Sequence, residues 1–408
     1  MKHSMNGEEM KLLRESELYM KTLCRDIPGR CVGSEGNREA TRFFERVVRT
    51  HNWQVELQEF EAIDWEEQGA TLQLGERSFE VLVGPYSLGC DVREELIPVS
   101  SIDELEKADI RGKIVFLHGD IAKEQIMPKN FIFYNPEEHK RIIAALEKGA
   151  PLAVIGATGR NSGVAGGVYP FPLIEDGDFD VPFAYMTDVE GEQLLRFAGR
   201  EAALISRSRR IPGMGWNVIA RKGTGTKDRI VVSAHIDAKK GTPGAIDNAT
   251  GVTILILLAE LLRSYEGEPP IELAAFNGED YYAVPGQMLY IERMDGRFDE
   301  VALNINIDGA GYKEGRSAFS FYGLPAEMEH KVRNVMAGYD GIVEGVQWVQ
   351  GDHSMFVQNG SPAIAVTSNW FSENMDDQKV THTPADNLEI VDYTKLVEIA
   401  KALSEFIL

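Results

Sequence analysis

The spacing of hydrophobic and polar positions changes several times along this chain. In "GEEMKLLRESELYMKTLCRDI", Met10, Leu13, Leu18 and Leu23 recur at roughly helical spacing, which predicts a helix. The turn "PGRCVGSEGN" interrupts it. "REATRFFERVVRTHNW" then predicts a second, amphipathic helix with Phe43, Phe44, Val47 and Val48 on one face. "QVELQEFEAIDW" alternates as a strand does, and "ATLQLGERSFEVLVGP" predicts a hairpin around Gly75-Glu76. From about Gly89 short apolar runs take over. They predict a buried strand at Lys113–Leu117, a helix in "PEEHKRIIAALEKGA" capped by Gly149, and a strand in "PLAVIGAT". A strand and a helix follow in "VPFAYMTDVEGEQLLRFAG", and the turn "RIPGMG" closes the stretch.

The remainder alternates strand and helix. "WNVIARKG", "KDRIVVSAH", "IELAAFNGED", "EVALNINIDGAG" and "SPAIAVTS" read as strands. "TGVTILILLAELLRSY" and "YTKLVEIAKALSEFIL" read as helices. This order predicts an α/β fold, a doubly wound, mixed but mainly parallel sheet flanked by helices. A smaller α/β domain, residues 89–212, is expected as an insert between the two parts of the main domain, 1–88 and 213–408.

Composition narrows the possible partners. The 64 acidic and 42 basic residues give a formal net charge of -22, which argues against binding nucleic acid or an anionic membrane. No apolar run reaches the roughly 18 residues of a membrane span. The start "MKHSMNGEEMKLLRES" lacks the apolar core of a secretory signal. Cys24, Cys31 and Cys90 form no CxxC pair, so a reducing, cytoplasmic location is expected.

The candidate chemistry sits where the predicted strands end. "VVSAHID" ends in His235 and Asp237, "ELAAFNGED" in Glu279 and Asp280, and "NINIDG" in Asp308. The carboxyl ends of strands in an open α/β sheet share one edge, where ligands bind. Asp247 opens the helix after the first of these strands, and His382 lies in the late loop "VTHTPADN". Taken singly, each has an ordinary structural reading. A histidine at a strand end can be hydrogen-bonded core, Asp247 a helix N-cap, Glu279-Asp280 a solvated turn and Asp386-Asn387 a turn pair. Packed together, five carboxylates and two imidazoles would repel one another without a cation. Mixed imidazole and carboxylate donors suit Zn²⁺ or a similar divalent ion. With Asp247 as a bridge the set divides in two: His235 and Asp308 for one ion, Asp280 and His382 for the other.

The motifs "HID", "GAIDNATG", "NGED", "NIDG" and "HTPAD", in that order, resemble those of the co-catalytic zinc exopeptidases. That family includes aminopeptidase Y, bacterial leucyl aminopeptidases and glutamate carboxypeptidase II. "GRCVGSEGN" and "GDHSMF" resemble its early Gly-Ser turn and its late Asp-His-x-x-Phe element, and the segment 89–212 resembles its protease-associated domain. The resemblance implies a metal-dependent exopeptidase with two zinc ions, or cobalt or manganese in their place, acting on peptides. It implies His235, Asp247, Asp280, Asp308 and His382 as ligands and Glu279 as general base. It also implies that Asp237 orients His235. Two ions sharing a water bring its pKa toward neutrality, and Glu279 would carry the proton to the leaving amine. His353 is expected in a structural Asp-His pair rather than as a ligand.

The sequence departs from that pattern in three places. Asp280 stands where many members have Glu. "YYAVPGQMLY" lacks the common Gly-Leu-x-Gly-Ser. "SNWFSENMDDQKVTH" offers no Tyr before the last histidine, so no oxyanion partner is assigned. An aminopeptidase is the leading expectation. A carboxypeptidase or dipeptidase of the same fold, a glutaminyl-cyclase-like acyltransferase and a non-catalytic receptor-like module are the alternatives. The insert is left with three roles: gating access, binding a partner or supporting a homodimer.

Overall fold

The computed structural model describes residues 6–27, 29–132, 134–225 and 227–408. Pro28 of the first turn and residues 1–5 of the opening stretch lie outside them. Two compact units form. One comprises the chain up to residue 62 with 214–375 and 380–408; the other comprises 63–213 and 376–379. Among the described residues, no helix is long and apolar enough to cross a membrane.

The first unit is built on four parallel strands, in the spatial order Ala363–Ser368, Val301–Ile307, Arg229–His235, Ile271–Phe276. Antiparallel neighbours lie on either side of the four, Ser317–Tyr322 at one edge and the last residues of Glu201–Lys222 at the other. From Arg229–His235 the chain passes through helix Thr250–Leu261 to the strand on one side. It then passes through helix Pro285–Met294 to the strand on the other side. The strand order therefore reverses at Arg229–His235, and the crevice at the carboxyl end of such a strand is where an open sheet takes its ligand.

Both faces of this sheet are covered. Val232, Ala234, Leu273, Ala275, Leu303 and Ile305 pack in one buried cluster with Leu12, Phe44, Leu255 and Leu403 from the helices. Helix Thr250–Leu261 is apolar nearly all round and buried along its length, as a helix enclosed by neighbours must be. On the other face Phe276 meets Tyr290 with ring centroids 4.9 Å apart, and Tyr290 in turn meets Phe356 at 5.8 Å.

The second unit repeats the theme in miniature. Cys90–Val99, Ile114–Leu117, Ala153–Thr158 and Phe183–Thr187 run parallel, with a buried cluster on each face. Residues 63–88, read above with the main domain, pack here. Leu72, Leu74, Phe79 and Val81 share a cluster with Leu96, Ile114 and Ile155. The hairpin forms as read: Leu72 pairs with Phe79 and Leu74 with Arg77, leaving Gly75-Glu76 as the turn.

Two local readings are corrected. "RIPGMG" is no turn: the strand Glu201–Lys222 runs straight through it. Neither Gly213 nor Gly215 has a positive φ. A Cβ on Gly215 would stand 2.5 Å from the Phe60 ring, so this glycine serves close packing. Gly149 does not cap its helix either. Ala150 takes the left-handed conformation at the end of Glu137–Gly149, and a Cβ on Gly149 would meet Ile110 at 2.4 Å.

Candidate active site

His235 is the last residue of its strand, Asp308 directly follows Val301–Ile307, and Glu279-Asp280 lie in the turn after Ile271–Phe276. Asp247 comes from the short π-helical segment Ala245–Ala249, where its own backbone angles are non-helical, and His382 from a loop. The structure brings all of them together. His235 Nε2 lies 3.1 Å from Asp247 Oδ1 and 3.5 Å from Asp308 Oδ1. His382 Nε2 lies 3.1 Å from Asp247 Oδ2 and 3.1 Å from Asp280 Oδ1. Asp247 thus presents one oxygen to each imidazole.

This arrangement fits divalent cations. Ligand atoms of His235, Asp247 and Asp280 lie within 4.8 Å of one another. Both ring nitrogens of His235 are buried facing only carboxylate oxygens, and one oxygen of Asp280 is buried without a hydrogen-bond partner, an arrangement that a coordinated ion satisfies. Burial disfavours a charged His235, yet Asp308, Asp237 and Asp247 outweigh it and hold the imidazole well above its usual range. Burial likewise works against a charged His382, and Asp280 and Asp247 override it. Burial pushes Glu279 well above the usual carboxylate range, with Asp308, Asp280 and Asp352 adding to the push against the pull of His235.

Asp237 stands beside His235 and favours its charged imidazole. Its Oδ1 stands 3.7 Å from His235 Nδ1, beyond hydrogen-bond reach. Its two oxygens instead accept the amide hydrogens of Gly278 and Asp280, at 2.7 and 3.0 Å. One carboxylate therefore holds the chain on both sides of Glu279. The turn needs glycine at 278, where φ is +132° and a Cβ would lie 2.8 Å from Pro285.

Sequence reading passed over two further residues. Asp386, read as a turn residue, is fully buried, and its oxygens accept from the amides of Ile246 and Asp247 at 2.7 and 3.0 Å. Arg30 is also buried and donates to the carbonyls of Ile236, Pro243, Gly244 and Leu23. The signal for both was their place in "HTPAD" and "GRCVGSEGN". Asn248 explains the rest of "GAIDNATG": its side chain donates to the carbonyl of Ile307 at 2.8 Å and accepts from Gly251 at 3.1 Å. It thereby ties the neighbour of Asp247 to the neighbour of Asp308. A Cβ at 251 would stand 2.4 Å from that Asn248 oxygen.

His353 stands apart from the ligand group. Its Nε2 pairs with the carbonyl of Trp348 at 3.0 Å, and its ring packs against Tyr322 and Trp348 with centroids 4.7 and 4.5 Å away. Asp352 takes its hydrogen bond from Gln287, at 2.8 Å.

A profile of peptidase family M28 matches residues 217–407. Residues 217–407 are a peptidase family M28 domain. The M28 domain holds every candidate ligand and the Glu279-Asp280 pair. The chain is similar to the probable lipoprotein aminopeptidase LpqL of Mycobacterium tuberculosis, at 24% identity over 291 residues. That alignment spans 68% of this chain and 54% of the relative, so the chain covers about half of that protein's length. Two solved structures share the fold. An aminopeptidase from Aneurinibacillus sp. strain AM-1 superposes with a TM-score of 0.74 and 20% identity, covering 97% of this chain and 93% of that one. A zinc aminopeptidase from Bacillus subtilis gives 0.72 and 19%, covering 97% and 94%.

Proposed function

We propose that this chain is a metal-dependent aminopeptidase that removes N-terminal residues from peptides. Two zinc ions would be held by His235, Asp247 and Asp308 and by Asp247, Asp280 and His382. The observation that carries this reading is Asp247, which turns one oxygen to each imidazole at 3.1 Å. When bound, two such ions acidify a shared water and polarise the scissile carbonyl. Glu279 takes the proton of the attacking water and passes it to the leaving amine. Asp237 keeps Glu279 in place by holding the amides on either side of it.

Zinc and the choice of terminus draw support from the similar proteins, whose names are those of aminopeptidases, one of them a zinc enzyme. We place the protein in a reducing cytoplasm, because its sequence holds three cysteines and no CxxC pair. We read the smaller unit as a protease-associated-like insert.

The test is a panel of amino-acid p-nitroanilides beside N-blocked peptides. Cleavage of free-amine substrates alone is the expected result. Cleavage of N-blocked peptides from their carboxyl end would replace this reading with a carboxypeptidase.

A further inference from the structure

The two halves of the site are built on different supports. His235 ends a central strand and Asp308 follows its neighbour, and the register Ser233–Asn306 fixes those strands against each other. His382 lies on a loop, and the same loop carries Asp386 four residues later. His382 reaches the Asp247 side chain with its ring, while Asp386 grips the Asp247 backbone with its carboxylate. Asp386 also accepts from Ile246 through its side chain and from Ala245 through its carbonyl. Arg30 holds the preceding residues by their other groups, donating to the carbonyls of Pro243 at 2.8 Å and Gly244 at 2.7 Å. Its Nε donates to the carbonyl of Ile236, the residue between His235 and Asp237, at 2.9 Å. The stretch 243–247 is thus held by the buried Arg30 through its carbonyls and by the buried Asp386 through its amides.

We propose that Asp386, seconded by Arg30, is a positioning residue that sets the affinity of the metal position formed by Asp247, Asp280 and His382. Losing it would leave a protein that holds one ion tightly and the other loosely. This rests on the two-ion reading above. The physical reason is preorganisation. A ligand on a loop that must be ordered as the ion binds gives a weaker site than one already in place. The sheet supplies that order for His235 and Asp308; for His382 the Asp386 clamp supplies it. An asparagine at 386 has one oxygen for two amide donors, and its own NH₂ would face the second. A merely structural loss would weaken both positions alike, so the ratio of the two affinities separates the cases.

The full chain, stripped of metal, would be titrated with Zn²⁺ against a chromogenic chelator, as wild type, Asp386→Asn and Arg30→Lys. Near-UV circular dichroism would check folding. Wild type is expected to bind two ions. Asp386→Asn should weaken the Asp280–His382 position by about 10- to 100-fold more than the His235–Asp308 position, which shares only Asp247 with it. Arg30→Lys keeps the charge but loses the planar fork, and should weaken the same position by less. It carries the comparison alone if Asp386→Asn does not fold. Two ions on wild type with equal affinities, or equal losses, in the folded variants would overturn the proposal alone. Fewer than two ions on wild type would overturn the two-ion reading and the proposal with it.

Discussion

Asp237 Oδ1 accepts the amide hydrogen of Gly278 at 2.7 Å. The bond matters because the other oxygen takes the amide of Asp280, so Glu279 sits between two held points. Asp237→Asn keeps the size but sets an NH₂ against one of those donors. We expect kcat to fall by about 10- to 100-fold while metal analysis still finds two ions. An unchanged kcat would show that the turn holds Glu279 without this carboxylate.

Glu279→Gln removes the base and leaves the ligands. Turnover should drop by at least about 100-fold with metal content unchanged. Retained activity would take the proton-transfer role away from Glu279.

Chelation tests the cation demand of the buried donors. A strong chelator should inhibit, and added Zn²⁺ or Co²⁺ should restore the rate. Full activity in protein shown to be metal-free would end the metallopeptidase reading.

Gly278→Ala forces a side chain into a positive-φ position beside Pro285. The strain is about 1–3 kcal/mol, read as a lower melting temperature together with a lower kcat. Gly75→Ala is the control: its φ is +62°, nothing lies within 4 Å of the added carbon, and it lies in the other unit's hairpin. It should lower the melting temperature slightly and leave kcat alone.

His353 predicts a pH dependence of stability. Burial holds its imidazole down at about 4, against an ordinary value of 6.5. An unfolded chain takes up this proton below about 6.5, whereas the folded chain resists until about 4. The contribution is therefore complete above about pH 6.5 and is lost as pH falls toward 4, by up to roughly 3 kcal/mol. His353→Gln cannot titrate, so its melting temperature should fall less between pH 7 and 5 than that of wild type. Parallel curves would refute the assignment.

Much of this protein was determined by its sequence alone. Apolar runs ending in "HID", "NGED" and "NIDG" place His235, Glu279, Asp280 and Asp308 at one sheet edge, because parallel strands share their carboxyl ends. The alternation around Gly75-Glu76 set the hairpin, since a two-residue turn is a local event. What only the tertiary structure decided is which backbone groups the buried charges hold. Asp237 answers to the amides of Gly278 and Asp280, more than 40 residues away. Arg30 answers to carbonyls more than 200 residues away, and Asp386 to amides about 140 away. Backbone amides and carbonyls are the same at every residue and leave no mark in a sequence. Gly215 and Gly149 were misread for a related reason: glycine serves a turn and a close contact equally well, and only the Phe60 ring and Ile110 show which use was made.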